Sequence, residues 1–188
     1  MRSIRCRSAA WLACLGVSVA SGRAAEQVTA QQSADDFRQI ATVLRHPRCM
    51  NCHTVTDFPR QGDDRHPHIM DVKRGPDDHG AVAARCSSCH QAMNQVNGVP
   101  GAPKWALAPL TMGWEHLNDH QLAEAIKDPE HNGHRTLAQI QAHMAHDELV
   151  AWAWHPGPGR DAPAITQAEL GRLVQEWIDG GAVSPPGN

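Results

Sequence analysis

Four cysteines and two histidines fall into one repeated pattern, Cys49-Met50-Asn51-Cys52-His53 and Cys86-Ser87-Ser88-Cys89-His90. Two thiols three residues apart can bond to both former vinyl groups of a porphyrin, and an imidazole directly behind the second thiol then falls under the iron. Two copies predict two covalently attached haem c groups. Cys49 and Cys52 tether the first, Cys86 and Cys89 the second, and His53 and His90 are the proximal iron ligands. The competing chemistries are a four-thiolate zinc site and a redox disulfide. Neither calls for a histidine after both pairs, a coincidence on the order of one in several hundred when a residue type fills about one position in twenty.

Each iron then needs a sixth ligand, and its type matters because a thioether raises the reduction potential relative to a second imidazole. For the first haem the nearby candidates are His66, His68, Met70 and His79. His68 is preferred, because the turn His66-Pro67-His68 is stiffened by its proline and could hold an imidazole in place. For the second haem Met112, three residues after Pro109 in an extended segment, is preferred over the cluster His143-Met144-His146. Trp105, Trp114, Trp152 and Trp154 are expected as walls that pack against the porphyrins.

The compartment agrees with this chemistry. Met1 to Arg7 carries three arginines, Ser8 to Ala20 is apolar, and Ser21 to Ala25 supplies small residues, so residues 1–25 read as a secretory signal peptide cleaved near Ala24 or Ala25. The apolar run is too short to span a hydrocarbon core of about 30 Å as a helix, so no membrane anchor is expected in the mature form. A lipid-attachment role for Cys14 is the competing assignment. With this segment removed, Cys6 and Cys14 leave, and every remaining cysteine belongs to a motif. Arg2, Arg5, Arg7 and Arg23 leave too, so 13 basic residues face 20 acidic ones, a formal charge of −7. That balance argues against nucleic acid and for a redox partner with a basic docking face.

Residues 26–188 are about the size of one domain. The chain has no Tyr and two Phe, a shortage of core aromatics that two buried porphyrins would fill. A helix is expected from Ser33, with Asp36 three residues on, through Leu44 to the break at His46-Pro47. Residues 54–81 are punctuated by Gly and Pro and read as an ordered loop, with a short helix through Ala81 to Ala84 leading into Cys86. Further helices are expected after Asn118 or Asp119, and after Thr136 with Gln139 as its capping partner. The strongest pattern is at the C-terminus. Thr166 with Glu169 forms a capping box, Ile165 can staple Leu170, an apolar stripe runs to Ile178, and Gly180-Gly181 closes the helix. No strand pattern of comparable quality occurs, so the fold class is mostly α. The motif histidines lie 37 residues apart, close enough for both haems to share one core.

The helix before Cys49, the two Cys-x-x-Cys-His motifs, the Pro-Met segment and the C-terminal Trp177-Ile178-Asp179-Gly180-Gly181 resemble a class I cytochrome c. The implied fold is a class I-like helical one enlarged around two covalent haems, with long ordered loops. Arg74-Gly75, Ala108-Pro109 with Met112 and Trp114, and His143-Met144 running into Trp152-Ala153-Trp154 resemble diheme cytochrome subunits of isoquinoline oxidoreductase-type molybdenum hydroxylases. This resemblance implies a periplasmic protein that takes electrons from a molybdenum hydroxylase or another periplasmic dehydrogenase and passes them to a respiratory acceptor, without catalytic residues of its own. The rival class is a diheme peroxidase-like enzyme with one open iron site.

Overall fold

In the computed structural model, which describes residues 28–187, Thr29 caps the first helix, α1 (Ala30–Leu44), by accepting from the amide of Gln32. The predicted export segment, with Cys6 and Cys14, lies outside the described residues. The helix therefore begins a turn before Ser33. Ser33 is fully buried inside it, and its hydroxyl donates to the carbonyl of Trp177 at 2.7 Å while accepting from the amide of Val183 at 3.1 Å.

His46 and Pro47 end α1 and start a single turn, α2 (Pro47–Met50), with the proline at the first helical positions, where its missing N–H costs nothing. Two later helices begin as their sequences predict. Asn118 with Gln121 opens α3 (Asp119–Lys127), and Thr136 with Gln139 opens α4 (Leu137–His146), both as complete capping boxes. A further turn, α5 (Glu148–Ala151), runs into a 3-10 turn at Trp152–Trp154. In α6 (Gln167–Asp179) Thr166 caps the Glu169 amide, but the Glu169 carboxylate turns outward to pair with Arg172 instead of reaching back.

The core lies among α1, α3, α4 and α6. Their apolar faces meet where Phe37 and Trp177 pack ring to ring, with centres 5.0 Å apart and planes tilted by 49°. Full burial of an aromatic side chain of this size stabilises by roughly 3 kcal/mol. Helices α4 and α6 approach closely because residue 171 is glycine: a β-carbon there would fall 2.6 Å from the β-carbon of Ala145.

Between α2 and α3 the backbone is irregular. It holds a minimal antiparallel pair, β1 (Arg60–Gln61) and β2 (His66–Pro67), registered Arg60 to Pro67 and Gln61 to His66, which no sequence pattern announces. It also holds 3-10 turns at Ile69–Asp71, Cys86–Ser88 and Leu110–Met112, and the short helix expected over residues 81–84 is a turn. This stretch contributes polar groups to the interior, Thr54, Arg74 and Glu115, beside the buried Ala102, Leu107, Met112 and Trp114. Every large exposed hydrophobic side chain among the described residues, from Val55 to Leu110, lies in it as well. The protein is thus mostly helical, with a polar-braced, loop-built half carrying both cysteine motifs.

Candidate functional site

Each motif closes the same helical turn. In the first, the amides of Cys52 and His53 both donate to the carbonyl of Cys49, at 3.1 and 3.0 Å; in the second, those of Cys89 and His90 donate to Cys86, at 3.1 and 2.8 Å. The turn brings two thiols and the following imidazole to one side of a short backbone segment, although the flanking sequences are unlike. All four thiols are free. Burial pushes the Cys49 thiol up to about 12 and that of Cys52 up to about 11, with Cys86 adding to the rise at Cys52. Among the described residues no three His, Cys, Asp or Glu side chains converge on a common point, so the four cysteines form no thiolate cage.

The two imidazoles are held alike. Nδ1 of His53 lies 2.9 Å from the carbonyl of Met112, and Nδ1 of His90 lies 2.7 Å from that of Pro100. A carbonyl can only accept, so Nδ1 carries the proton and Nε2 keeps its lone pair. Burial pushes the His53 pKa down to about 4 and lowers that of His90, so both rings are neutral at physiological pH. A tryptophan lies along the face of each: Trp114 on His53 at 3.5 Å and 10°, Trp105 on His90 at 4.6 Å and 9°. A ring stacked on the imidazole face leaves the Nε2 edge, which lies in the ring plane, clear. Second partners of this kind fix tautomer and direction in metal-ligating histidines.

Polar side chains hold these parts together, and of them only Arg74 is marked in the sequence, as part of the resemblance given above. Glu115, 9% exposed, accepts from the Thr54 hydroxyl at 2.9 Å, the Val55 amide at 2.8 Å, Arg60 at 3.0 Å and Arg65 at 2.5 Å. Burial alone would raise its pKa, but these donors outweigh burial and hold the carboxyl below its ordinary range. Arg74 gathers the carbonyls of Thr54, Thr56 and Ala108 and pairs with Asp78 at 2.6 Å. Asn94 accepts from the Gly101 amide at 3.0 Å and from the Trp152 indole at 2.9 Å, and donates to the carbonyl of His155 at 2.7 Å. It thereby anchors the loop that carries Pro100. Trp152 meets Trp105 edge-on at 4.8 Å, and the Arg48 guanidinium beside the first motif lies 5.9 Å over the Trp152 ring. The signal that could have found these residues is weak: an isolated acid beside Trp114 and arginines scattered through a loop.

The predicted sixth ligands are placed crosswise. Met112 gives its carbonyl to His53 of the first motif, and its sulfur packs beside Gly133. His68 comes instead to the second motif, its ring centre 6.0 Å from that of His90 with planes 71° apart. Nearness in sequence favoured the opposite pairing, but the β1–β2 hairpin folds His68 back across the loop. Of the rivals, His66 is exposed and bonded to Asp64 at 2.6 Å, and His79 to the carbonyl of Asp77 at 2.5 Å. Met70 is 82% exposed and Met144 is core, while His143 lies 3.3 Å from Asp147.

The donor chemistry fits a covalent porphyrin. The sites offer paired reduced thiols on a turn and neutral imidazoles with Nε2 uncommitted. Four of the five buried polar atoms without a hydrogen-bond partner among the described residues surround the first motif: Arg48 Nε, Asn51 Oδ1, Arg65 Nε and Trp114 Nε1. Such atoms are rare in a finished interior and ask for an explanation, and three of them are donors that a bound carboxylate-bearing group would satisfy. No helix among the described residues is long and apolar enough to cross a membrane. No family model, no curated protein and no solved structure matches the chain.

Proposed function

We propose that this chain is an exported diheme c-type cytochrome that carries single electrons between redox proteins. The observation that carries the proposal is the duplicated turn: two unlike sequences each present two thiols and a neutral imidazole whose Nδ1 is tied to a carbonyl and whose face is covered by a tryptophan. Haem c, when bound, supplies a one-electron iron couple. Cys49, Cys52, Cys86 and Cys89 would hold it as thioethers, and His53 and His90 would ligate the iron through Nε2. The carbonyls of Met112 and Pro100 keep each imidazole in the tautomer that can donate from Nε2, and Trp114 and Trp105 limit its rotation. Glu115 and Arg74 keep the loops rigid, so that little needs to move when charge arrives.

The two motif histidines lie 37 residues apart in one small domain, so the two centres would exchange electrons within one molecule. The acidic balance of residues 26–188 suits a donor or acceptor with a basic face, the class to which a molybdenum hydroxylase or another periplasmic dehydrogenase would belong. The class I-like fold enlarged around two haems and the periplasmic location are parts of the same proposal. The test is the intact mass and the pyridine haemochrome spectrum of the protein exported from a host with cytochrome c maturation. Two added haems per chain are expected; a mass without porphyrin would overturn the assignment.

A further inference from the structure

The geometry points to His68 and His90 as the two axial ligands of one iron, so that the second haem is a bis-imidazole centre and the first draws its sixth ligand, if it has one, from elsewhere. This rests on the haem assignment above and assigns a ligand within it.

Three independent features support it. The first is separation. A metal–imidazole bond is about 2 Å and the ring centre lies roughly another ångström behind the nitrogen, so two imidazoles on one ion have centres about 6 Å apart. The observed value is 6.0 Å, with the planes 71° from parallel. The second is the state of the nitrogens. His90 Nδ1 is bonded to Pro100 and His68 Nδ1 to the carbonyl of Ile69, at 2.7 and 2.6 Å. Both protons are therefore on Nδ1 and both Nε2 lone pairs remain available.

The third is the device that presents His68. Its amide donates to the carbonyl of Pro59 at 2.9 Å, the Ile69 amide donates to the Gln61 side chain at 3.2 Å, and the β1–β2 pair ends one residue before it. The backbone around it is strained: Arg65, Met70 and Asp71 all take positive φ, at 56°, 66° and 49°. Such conformations are costly for residues with a side chain and cluster where a loop is held for use. Yet the residues it orders here, Ile69 and Met70, are largely exposed, so burial of their side chains is not what the strain achieves.

The experiment uses the exported holoprotein and the variants His68→Ala, His68→Met and, as control, His66→Ala. Mass and haemochrome come first: loss of porphyrin from the unsubstituted protein would defeat the haem assignment itself, whereas two retained haems in each variant leave the ligand question open to spectroscopy. Electron paramagnetic resonance of oxidised His68→Ala is then expected to lose one low-spin bis-imidazole signal, and the reduced variant to bind carbon monoxide at one additional haem. His68→Met is expected to gain a near-infrared thioether-to-iron band, and His66→Ala to match the parent.

Removing one tether at a time settles which iron is involved. His68→Ala should alter the single remaining haem of a Cys49→Ala/Cys52→Ala protein and leave that of a Cys86→Ala/Cys89→Ala protein unchanged. If either tether variant fails to accumulate, nuclear Overhauser contacts decide: the thioether methyl introduced by His68→Met touching the porphyrin whose protons also contact Trp105, beside His90, supports the assignment, and its touching the porphyrin whose protons contact Trp114, beside His53, overturns it. Unchanged axial spectra in both His68 variants would overturn it too.

Discussion

The imidazole of His53 lies flat on the indole of Trp114, with centres 3.5 Å apart and planes 10° from parallel, while the Trp114 amide donates to the His53 carbonyl at 3.0 Å. The residue that covers the ring is therefore bonded to the backbone that carries it, and the carbonyl of Met112, two residues earlier, accepts the hydrogen bond from Nδ1. One short segment sets position, tautomer and rotation of the same imidazole.

Replacement of Trp114 by Leu should release that rotation. Loss of a buried indole costs about 3 kcal/mol, read as an earlier urea midpoint. The spectrum and midpoint potential of one haem should change while the other is untouched. Trp114→Phe keeps the plate and should retain most of both properties; equal disturbance of the two haems by Trp114→Leu would show that the stack does not act locally.

Glu115 predicts a pH dependence. Its folded-state pKa is depressed by the Val55 amide, the Thr54 hydroxyl and two arginines, which outweigh burial. The stability it supplies is therefore present above the unfolded-state value, about 4.3, and is lost as pH falls through the lower folded value. Glu115→Gln should cost about 2 kcal/mol at pH 7, because the partly exposed Arg60 and Arg65 are left without their charge partner. The gap between parent and variant should close as pH is lowered below 4. Urea denaturation across that range checks it, and a constant gap would mean that the carboxylate's charge is not what matters.

The helical half was largely legible because caps and apolar stripes are local signals. The box at Thr136 forms as written, and Asn118 takes the α3 cap, with Gln121 completing a box there. Where local signals competed, a neighbour decided: Thr29 takes the α1 cap, leaving Ser33 for the α6 contact, and Arg172 draws Glu169 off its box. The motif turns were legible in residue type and spacing. The place of His68 was not, because it is 15 residues from His53 and 22 from His90, and only the hairpin determines which of them its ring lies beside. Glu115 and Asn94 were invisible for the same reason: apart from Gly101, their partners lie from 50 to 61 residues away.

The close approach of α4 and α6 at Gly171 sets two effects against each other. Gly171→Ala improves helix propensity by about 1 kcal/mol. The new methyl would meet Ala145 at 2.6 Å, and forcing an extra methyl into a packed interface costs about 1–3 kcal/mol. Overpacking should win, giving a net loss of about 1 kcal/mol by urea denaturation. Gly171→Ala combined with Ala145→Gly should recover most of it, and a stabilised single variant would mean that the helices separate without penalty.

Asn94 controls the second motif from a distance. It touches neither His90 nor a cysteine, yet its carbonyl oxygen fixes Gly101 and Trp152, and residue 101 must be glycine because a β-carbon there would strike the carbonyl oxygens of Gln91 and Met93. Gly101 follows Pro100, whose carbonyl accepts the hydrogen bond from His90 Nδ1, so a loosened loop weakens the bond that strengthens the Nε2 lone pair. Asn94→Ala should cost only about 1 kcal/mol in global stability, since the side chain is exposed. Spectroelectrochemistry should nonetheless show one midpoint potential moving upward, as weaker donation favours the reduced iron, with the other unmoved. Asn94→Asp keeps the accepting oxygen and should hold the potential nearer the parent value; identical shifts in both variants would trace the effect to the lost donation to His155 instead.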